Sequence, residues 1–352
     1  MMKALALALL VGAVAACGGG SSSSIDDHVR MNQIQVLGSH NSYHVGMSKE
    51  VFDLVHAFSA SSADALDYHH PSLETQLTRE GARQLEIDVY ADPKGGLFSD
   101  RHIYKALNKP IASGIKALDA PGFKVMHEAE IDFESSCVTF VQCLQQVERW
   151  SDANPHHFPV EIQVEAKSDP SPDPAKLGFV TPVPIGAPEL DALDAEIHSV
   201  FDDKQLVRPS DVTTEGWPTL KKSRGKVWFA LDNEDLAPVY RGTTIFTSKP
   251  DATTPGFAKL NDPVKDGAKI RELVKKGFIV RTRADADTVQ ARTNDTSMRD
   301  AALASGAQLV STDYLTADTR FSTYRVQLPG GAVARCDPID APPECKDAQL
   351  TE

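Results

Sequence analysis

Long apolar runs are almost missing from this 352-residue chain. Beyond residues 4–14 nothing approaches the ~20 consecutive apolar residues of a membrane-spanning helix, and residues 4–14 are themselves too few. Cysteine is scarce, at five, and no C-x-x-C pair occurs, which argues against a zinc site. There is no GxSxG elbow, no GxxxxGK phosphate loop and no GxGxxG run, so serine hydrolase, nucleotide-binding and dehydrogenase readings are weak. No dense basic run breaks a balance of 36 Lys and Arg against 49 Asp and Glu, a net charge of −13. Nucleic acid is therefore not an expected partner, and long-range attraction to anionic lipid is weak. No internal repeat is visible.

The N-terminus is organised differently. Met1-Met2-Lys3, the apolar stretch 4–14 and Val14-Ala15-Ala16-Cys17 resemble a secretory signal ending in a bacterial lipobox, followed by Gly-Ser tether residues. The expectation is a signal peptide over 1–16, lipidation at Cys17, a flexible tether over 17–30 and one domain over 31–352. The product would be an exported monomer, held as a lipoprotein on the cell-envelope membrane. Four cysteines remain. Three pairings are formally open; the close spacings favour Cys137 with Cys143 and Cys336 with Cys345, with Cys137 ahead of any helix that holds Cys143.

Strand-like runs alternate with helical ones, the pattern of a parallel sheet. Strands are expected at 34–39, 84–90, 123–127, 159–166, 205–208, 226–231, 277–284 and 307–314. Helices are expected at 71–83, 138–150, 190–201, 264–276 and 297–305. Residues 168–188 read as a Pro-rich excursion, and 233–262 show no period. Eight strands with helices between them favour an α/β fold of the TIM (β/α)8-barrel type.

Several strands end in imidazole or oxygen ligands. Residues two apart share a face, so Gln84, Glu86 and Asp88 point together into the lumen, as do Glu161, Gln163 and Glu165. Buried carboxylates need a cation or a basic partner. Asn41, Glu86, Asp88 and Glu165 make a hard oxygen set that suits Ca2+, with Mg2+ second. Glu161, deeper, is expected to pair with Arg281, Arg283 or Lys124. His40 and His127 fall at C-terminal strand ends, where barrel enzymes assemble their sites. His69, His70, His156 and His157 are assigned to loops.

GSHNSY, LEIDVY, VMHEAEID and PVEIQVEA together resemble the catalytic core of the phosphoinositide phospholipase C superfamily. YHHPSLETQL, GWPTLKKSRGKVWFALD and GAQLVSTDYLTAD resemble its secreted, calcium-dependent bacterial and fungal branch. The resemblance implies that His40 and His127 are the catalytic pair, that Glu86 serves as ligand and possible base, and that Asn41, Glu86, Asp88 and Glu165 hold calcium. It implies attack of the inositol 2-hydroxyl on a phospholipid, with His127 protonating the departing diacylglycerol and His40 steadying the phosphorane. Lys167, Arg281 and Arg283 are candidates for substrate contact, with ion pairing in the lumen as the competing role. Two departures stand out: Glu128 replaces the glycine common after the second histidine, and no lysine cluster for ring phosphates is present. The rivals are a glycerophosphodiester phosphodiesterase of the same fold and a noncatalytic lipoprotein that binds a polar headgroup.

Overall fold

The computed structural model describes residues 24–252 and 255–352; Cys17 and the expected signal sequence lie outside them. The strands are β1 (Ile34–Ser39), β2 (Gln84–Tyr90), β3 (Lys124–Val125), β4 (Val160–Lys167), β5 (Val227–Leu231), β6 (Ile245–Thr247), β7 (Phe257–Lys259), β8 (Ile279–Arg283), β9 (Leu309–Thr312) and β10 (Ala334–Cys336). The helices are α1 (Lys49–Phe58), α2 (Ala60–Ala65), α3 (Leu73–Arg79), α4 (Phe140–Ala153), α5 (Ala187–His198), α6 (Leu220–Ser223), α7 (Pro263–Lys275), α8 (Val289–Thr293) and α9 (Ser297–Ala304). The sheet runs β6-β5-β4-β2-β1-β9-β8-β7, with every neighbouring pair parallel. A single parallel bridge between Ser248 and Phe257 joins the two ends, closing an eight-stranded barrel.

Side-chain alternation fills this barrel in two ways. Outward residues such as Leu85, Ile87, Ile162, Val164 and Phe229 pack beneath α3, α4 and α5 through Leu77, Leu144, Val147 and Leu193. Inward residues at the N-terminal ends, among them Val36, Trp228, Phe246, Phe257, Ile279 and Leu309, form an apolar floor. Trp217 seals it, with its ring 5.0 Å from Phe246 and its indole N–H donating to the Gly277 carbonyl at 2.9 Å. Above the floor the lumen becomes polar. Gly38 is required at this level, because a Cβ there would lie 2.4 Å from Gln84 Cβ and 2.5 Å from its carbonyl oxygen.

The N-terminal segment is packed from residue 25 onward, inside the stretch expected to be tether. Ile25 joins the floor cluster, Val29 is fully buried, and Asp26 pairs with Arg224 at 2.7 Å. Both expected disulfides are present: Cys137–Cys143, with Cys137 just ahead of α4, and Cys336–Cys345 beside β10.

Two expected strands are not barrel strands. Residues 123–127 contribute only β3, which lies antiparallel on the end of β2. Residues 205–208 give one bridge, Leu206 with Val227, after a short 3-10 turn. Their places are taken by β6 and β7, three residues each, inside the stretch that shows no period. Three residues are too few to display an alternation, so the barrel type was readable while two of its staves were not.

Candidate active site

The sequence Gly38-Ser39-His40-Asn41-Ser42-Tyr43 builds one side of the mouth, residue by residue. His40 N–H donates to Thr312 on β9, prolonging the pairing past β1. Asn41 then takes a left-handed backbone (φ 46), which Asn tolerates better than most residues. Ser42 ties the turn to β2 twice: its N–H donates to the Glu86 carbonyl, and its Oγ accepts from Glu86 N–H, both at 2.8 Å. The turn is thereby registered against the strand that carries Glu86 and Asp88.

Glu86, Asp88 and Glu165 offer oxygens that all lie within 4.8 Å of one another. Register explains it, since Asp88 and Glu165 are direct partners across the β2–β4 ladder and Glu86 sits two residues earlier on the same face. Burial pushes the Glu86 carboxyl up to about 7 against the pull of Arg281, and burial with the nearby Glu165 pushes Asp88 well above its usual range. Both Asp88 oxygens and Asn41 Oδ1 are buried without a hydrogen-bond partner. Asn41 Nδ2 donates to Tyr68 Oη at 2.9 Å, which fixes the amide's orientation and leaves its oxygen free. Buried, orphaned oxygens of this hardness fit a calcium ion.

The candidate cations pair with these acids. Lys167 Nζ lies 3.4 Å from both Asp88 and Glu165, and Arg281 bonds Glu86 while reaching Asn261 Oδ1 at 2.6 Å. Arg283 bonds Asp313 at 2.9 Å and faces His40 Nε2 at 3.2 Å. The expected pairing of Glu161 with Arg281, Arg283 or Lys124 is not formed. Arg281 and Arg283 are engaged higher in the lumen, Lys124 points to Asp92 at 3.5 Å, and both Glu161 oxygens lack a hydrogen-bond partner. Burial accordingly drives the Glu161 carboxyl well above its usual range.

Each histidine is backed by a buried carboxylate. His40 Nδ1 is 2.8 Å from Asp313 Oδ1, and desolvation together with the Arg283 charge pushes this imidazole down to about 3, leaving it neutral. A neutral ring that donates from Nδ1 to Asp313 leaves Nε2 unprotonated, and that nitrogen accepts from an Arg283 guanidinium N–H at 3.2 Å. His127 Nδ1 is 3.1 Å from Asp132 Oδ2, and its side chain remains 20% exposed, enough to meet a substrate. Burial raises Asp132, but His44 and His127 outweigh it and hold the carboxyl below its usual range. His70, assigned to a loop, is buried with Nε2 2.9 Å from the His40 carbonyl oxygen; His157 is buried against Ser151. Glu128 accepts from Ser171 Oγ at 3.0 Å, so the residue that departs from the family pattern ties the Pro-rich excursion to the rim. A cleft of about 450 Å³, lined by His70, Asp313, Leu315 and Asp318, lies beside the His40–Asp313 pair.

Sequence reasoning missed Asp132, Asp313, Tyr68 and His44. Asp132 and Asp313 were visible as acids just after HEAE and within STDY, but nothing local announces that they face His127 and His40.

The family model described as "Phosphoinositide phospholipase C, Ca2+-dependent" matches residues 29–338. The chain belongs to that family. It is accordingly a calcium-dependent phosphodiesterase acting on phosphoinositide lipid. Among solved structures it is similar to the calcium-dependent phosphoinositol-specific phospholipase C of a Gram-negative Pseudomonas species, with 16% identity, 89% of this chain and 97% of that one covered, and a TM-score of 0.49. It is also similar to the Ca2+-dependent phosphatidylinositol-specific enzyme of Streptomyces antibioticus (16% identity, 82% and 95%, TM-score 0.45). The phosphatidylinositol-specific phospholipase C of Listeria monocytogenes is a third similar structure, with 11% identity, 82% and 91% covered, and a TM-score of 0.46. Comparison with curated proteins gives no match. Among the described residues no helix is long and apolar enough to cross a membrane.

Proposed function

We propose that this phospholipase cleaves phosphatidylinositol, or a close inositol phospholipid, to diacylglycerol and a cyclic inositol phosphate by attack of the ring's 2-hydroxyl. The observation that carries the reading is the pairing of a neutral, Asp313-held His40 with an Asp132-held His127, on a rim that also bears the acidic cluster. Asn41, Glu86, Asp88 and Glu165 would hold the calcium, which would supply neutralisation of phosphoryl charge and a lowered pKa for the attacking hydroxyl.

The chain's own residues do the rest. Unprotonated Nε2 of His40 accepts the 2-hydroxyl proton as the Arg283 N–H moves off it to a phosphoryl oxygen, a role better matched to its tautomer than donation to the phosphorane in the ground state; once protonated it donates there. Arg283, 3.2 Å from that nitrogen, keeps it neutral beforehand and stands ready for a phosphoryl oxygen. His127 protonates the departing glycerol oxygen from Nε2. Lys167 and Arg281 hold the carboxylates in place. An internal nucleophile needs alignment more than activation, which a rigid barrel rim supplies. Without a lysine cluster, an unphosphorylated inositol ring is the preferred headgroup. We place the enzyme on the cell envelope through lipidation of Cys17, as a monomer.

The test is His127→Ala on two substrates. Proton donation is worth roughly 10²–10⁴ in rate. The variant should lose that factor on phosphatidylinositol and recover most of it on an inositol phosphodiester with a nitrophenol leaving group, with calcium binding unchanged by calorimetry. Equal impairment on both substrates contradicts the role.

A further inference from the structure

We propose that His44 is a positioning residue for the general acid: it clamps the Asp132 carboxylate so that His127 keeps its proton on Nδ1 directed at Asp132 and delivers the second one from Nε2. The inference rests on the assignment of His127 as the acid.

His44 is fully buried, and its Nε2 lies 2.8 Å from Asp132 Oδ1 and 2.9 Å from Oδ2. Asp132 is itself fully buried, and Oδ2 also receives His127 Nδ1 at 3.1 Å. An ionised carboxylate only accepts, so both ring nitrogens that face it carry hydrogen. His127 alone would leave Asp132 free to rotate about its terminal torsion, which is broad and two-fold. The bifurcated bond from His44 pins the carboxylate plane from the far side, and with it the bearing of the His127 ring.

Nδ1 of His44 is buried and has no hydrogen-bond partner, so the polar contacts of this ring are both to Asp132. A lysine would also grip Asp132, but from a flexible four-carbon stem, whereas the imidazole is a rigid ring held by its packing.

His44 is placed by the same turn that carries His40 and Asn41. Its N–H donates to the Asn41 carbonyl, its carbonyl accepts from His70 N–H, both at 2.8 Å, and its ring packs tilted against Tyr68 with the centroids 4.5 Å apart. Six residues, 39 to 44, thus tie both histidine centres to one rigid element.

The experiment uses the full-length protein with phosphatidylinositol in mixed micelles and with the nitrophenyl phosphodiester of inositol. His44→Phe keeps a ring and removes the donor. Its kcat on phosphatidylinositol should fall by ~10-fold or more, within the roughly 10²–10⁴ that a general acid supplies, and on the nitrophenyl substrate by less than ~3-fold. KM and calcium affinity should hold. His44→Gln, whose amide N–H reaches as far as Nε2, should recover most of the loss, whereas His44→Asn, one bond shorter, should not. Should the Phe variant fail to fold, the Gln and Asn pair carries the same test. Equal loss on both substrates, or equal behaviour of Gln and Asn, would reduce His44 to a packing residue. A His127→Ala enzyme that lacks the leaving-group dependence would remove the acid assignment beneath the proposal; one that shows it while His44→Phe does not would refute His44 alone.

Discussion

Asp88→Asn should make the calcium-free protein more stable and calcium-blind at once. Asp88 is a fully buried carboxylate, has neither oxygen hydrogen-bonded, and faces Glu165 directly across the ladder; its one nearby cation, Lys167, stands 3.4 Å away and is shared with Glu165. An unsatisfied buried polar group costs ~1–3 kcal/mol, and more when charged. Asn removes the charge and the repulsion at nearly constant volume, so the metal-free variant should gain on the order of 1–2 kcal/mol after the weakened Lys167 pair is discounted. Calcium acts the other way in the wild type, where binding at a hundredfold excess over Kd adds about 2.7 kcal/mol by mass action. Scanning calorimetry with chelator and then with saturating calcium reads both terms. The wild type should melt lower without calcium and gain several degrees with it; Asp88→Asn should start higher and barely move. A variant that is destabilised under chelation, or that keeps the wild-type calcium increment, refutes the claim that these acids are held together for a cation.

Other expectations follow from the same physics. Burial pushes the Asp337 carboxyl up to about 6, so its contribution is full below the unfolded carboxylate range and lost as pH rises through 6. Asp337→Asn should match the wild type near pH 4 and exceed it at pH 8 by roughly 1–3 kcal/mol in urea titrations; an advantage that shrinks with rising pH counts against this. Removing the Cys336–Cys345 link by double serine substitution should cost about 2–3 kcal/mol, the chain entropy of a short loop, with kcat unchanged because β10 lies at the N-terminal end of β1, away from the mouth; a loss of turnover in the folded variant would argue otherwise. Cys17→Ser should move the enzyme from the membrane to the soluble fraction with activity intact, and a wild-type protein without acyl mass at Cys17 would rule out the anchor.

What the sequence disclosed follows from which signals are local. The alternations in QLEIDVY and VEIQVEA placed Glu86, Asp88 and Glu165 on one face, and the β2–β4 register brings those acids together as a cluster. The strand-end position of His40 was equally readable, since a barrel puts such positions on one rim; His127 was placed by the same rule, but it follows β3, which is no stave and lies antiparallel on the end of β2. The partners were not. Asp313 meets His40 across 273 residues, a separation that only the closed barrel resolves, whereas Asp132 meets His127 across five, in a turn with no regular period to announce the contact. For β6 and β7 three residues show no period, and residues 123–127, apolar enough for a stave, are diverted because β4 occupies the edge of β2 that they would need. Glu161 shows the reverse limit: its face was evident, while its lack of a basic partner depends on how far each arginine reaches.

The central claim is calcium-dependent cleavage by the substrate's own hydroxyl, and phosphorus NMR of the products tests it most directly. With phosphatidylinositol and calcium, the five-membered cyclic phosphodiester signal should appear first, with any acyclic inositol phosphate growing later at its expense, and chelation should abolish both. An acyclic product from the first turnovers, or an unchanged rate after exhaustive chelation, would contradict the account.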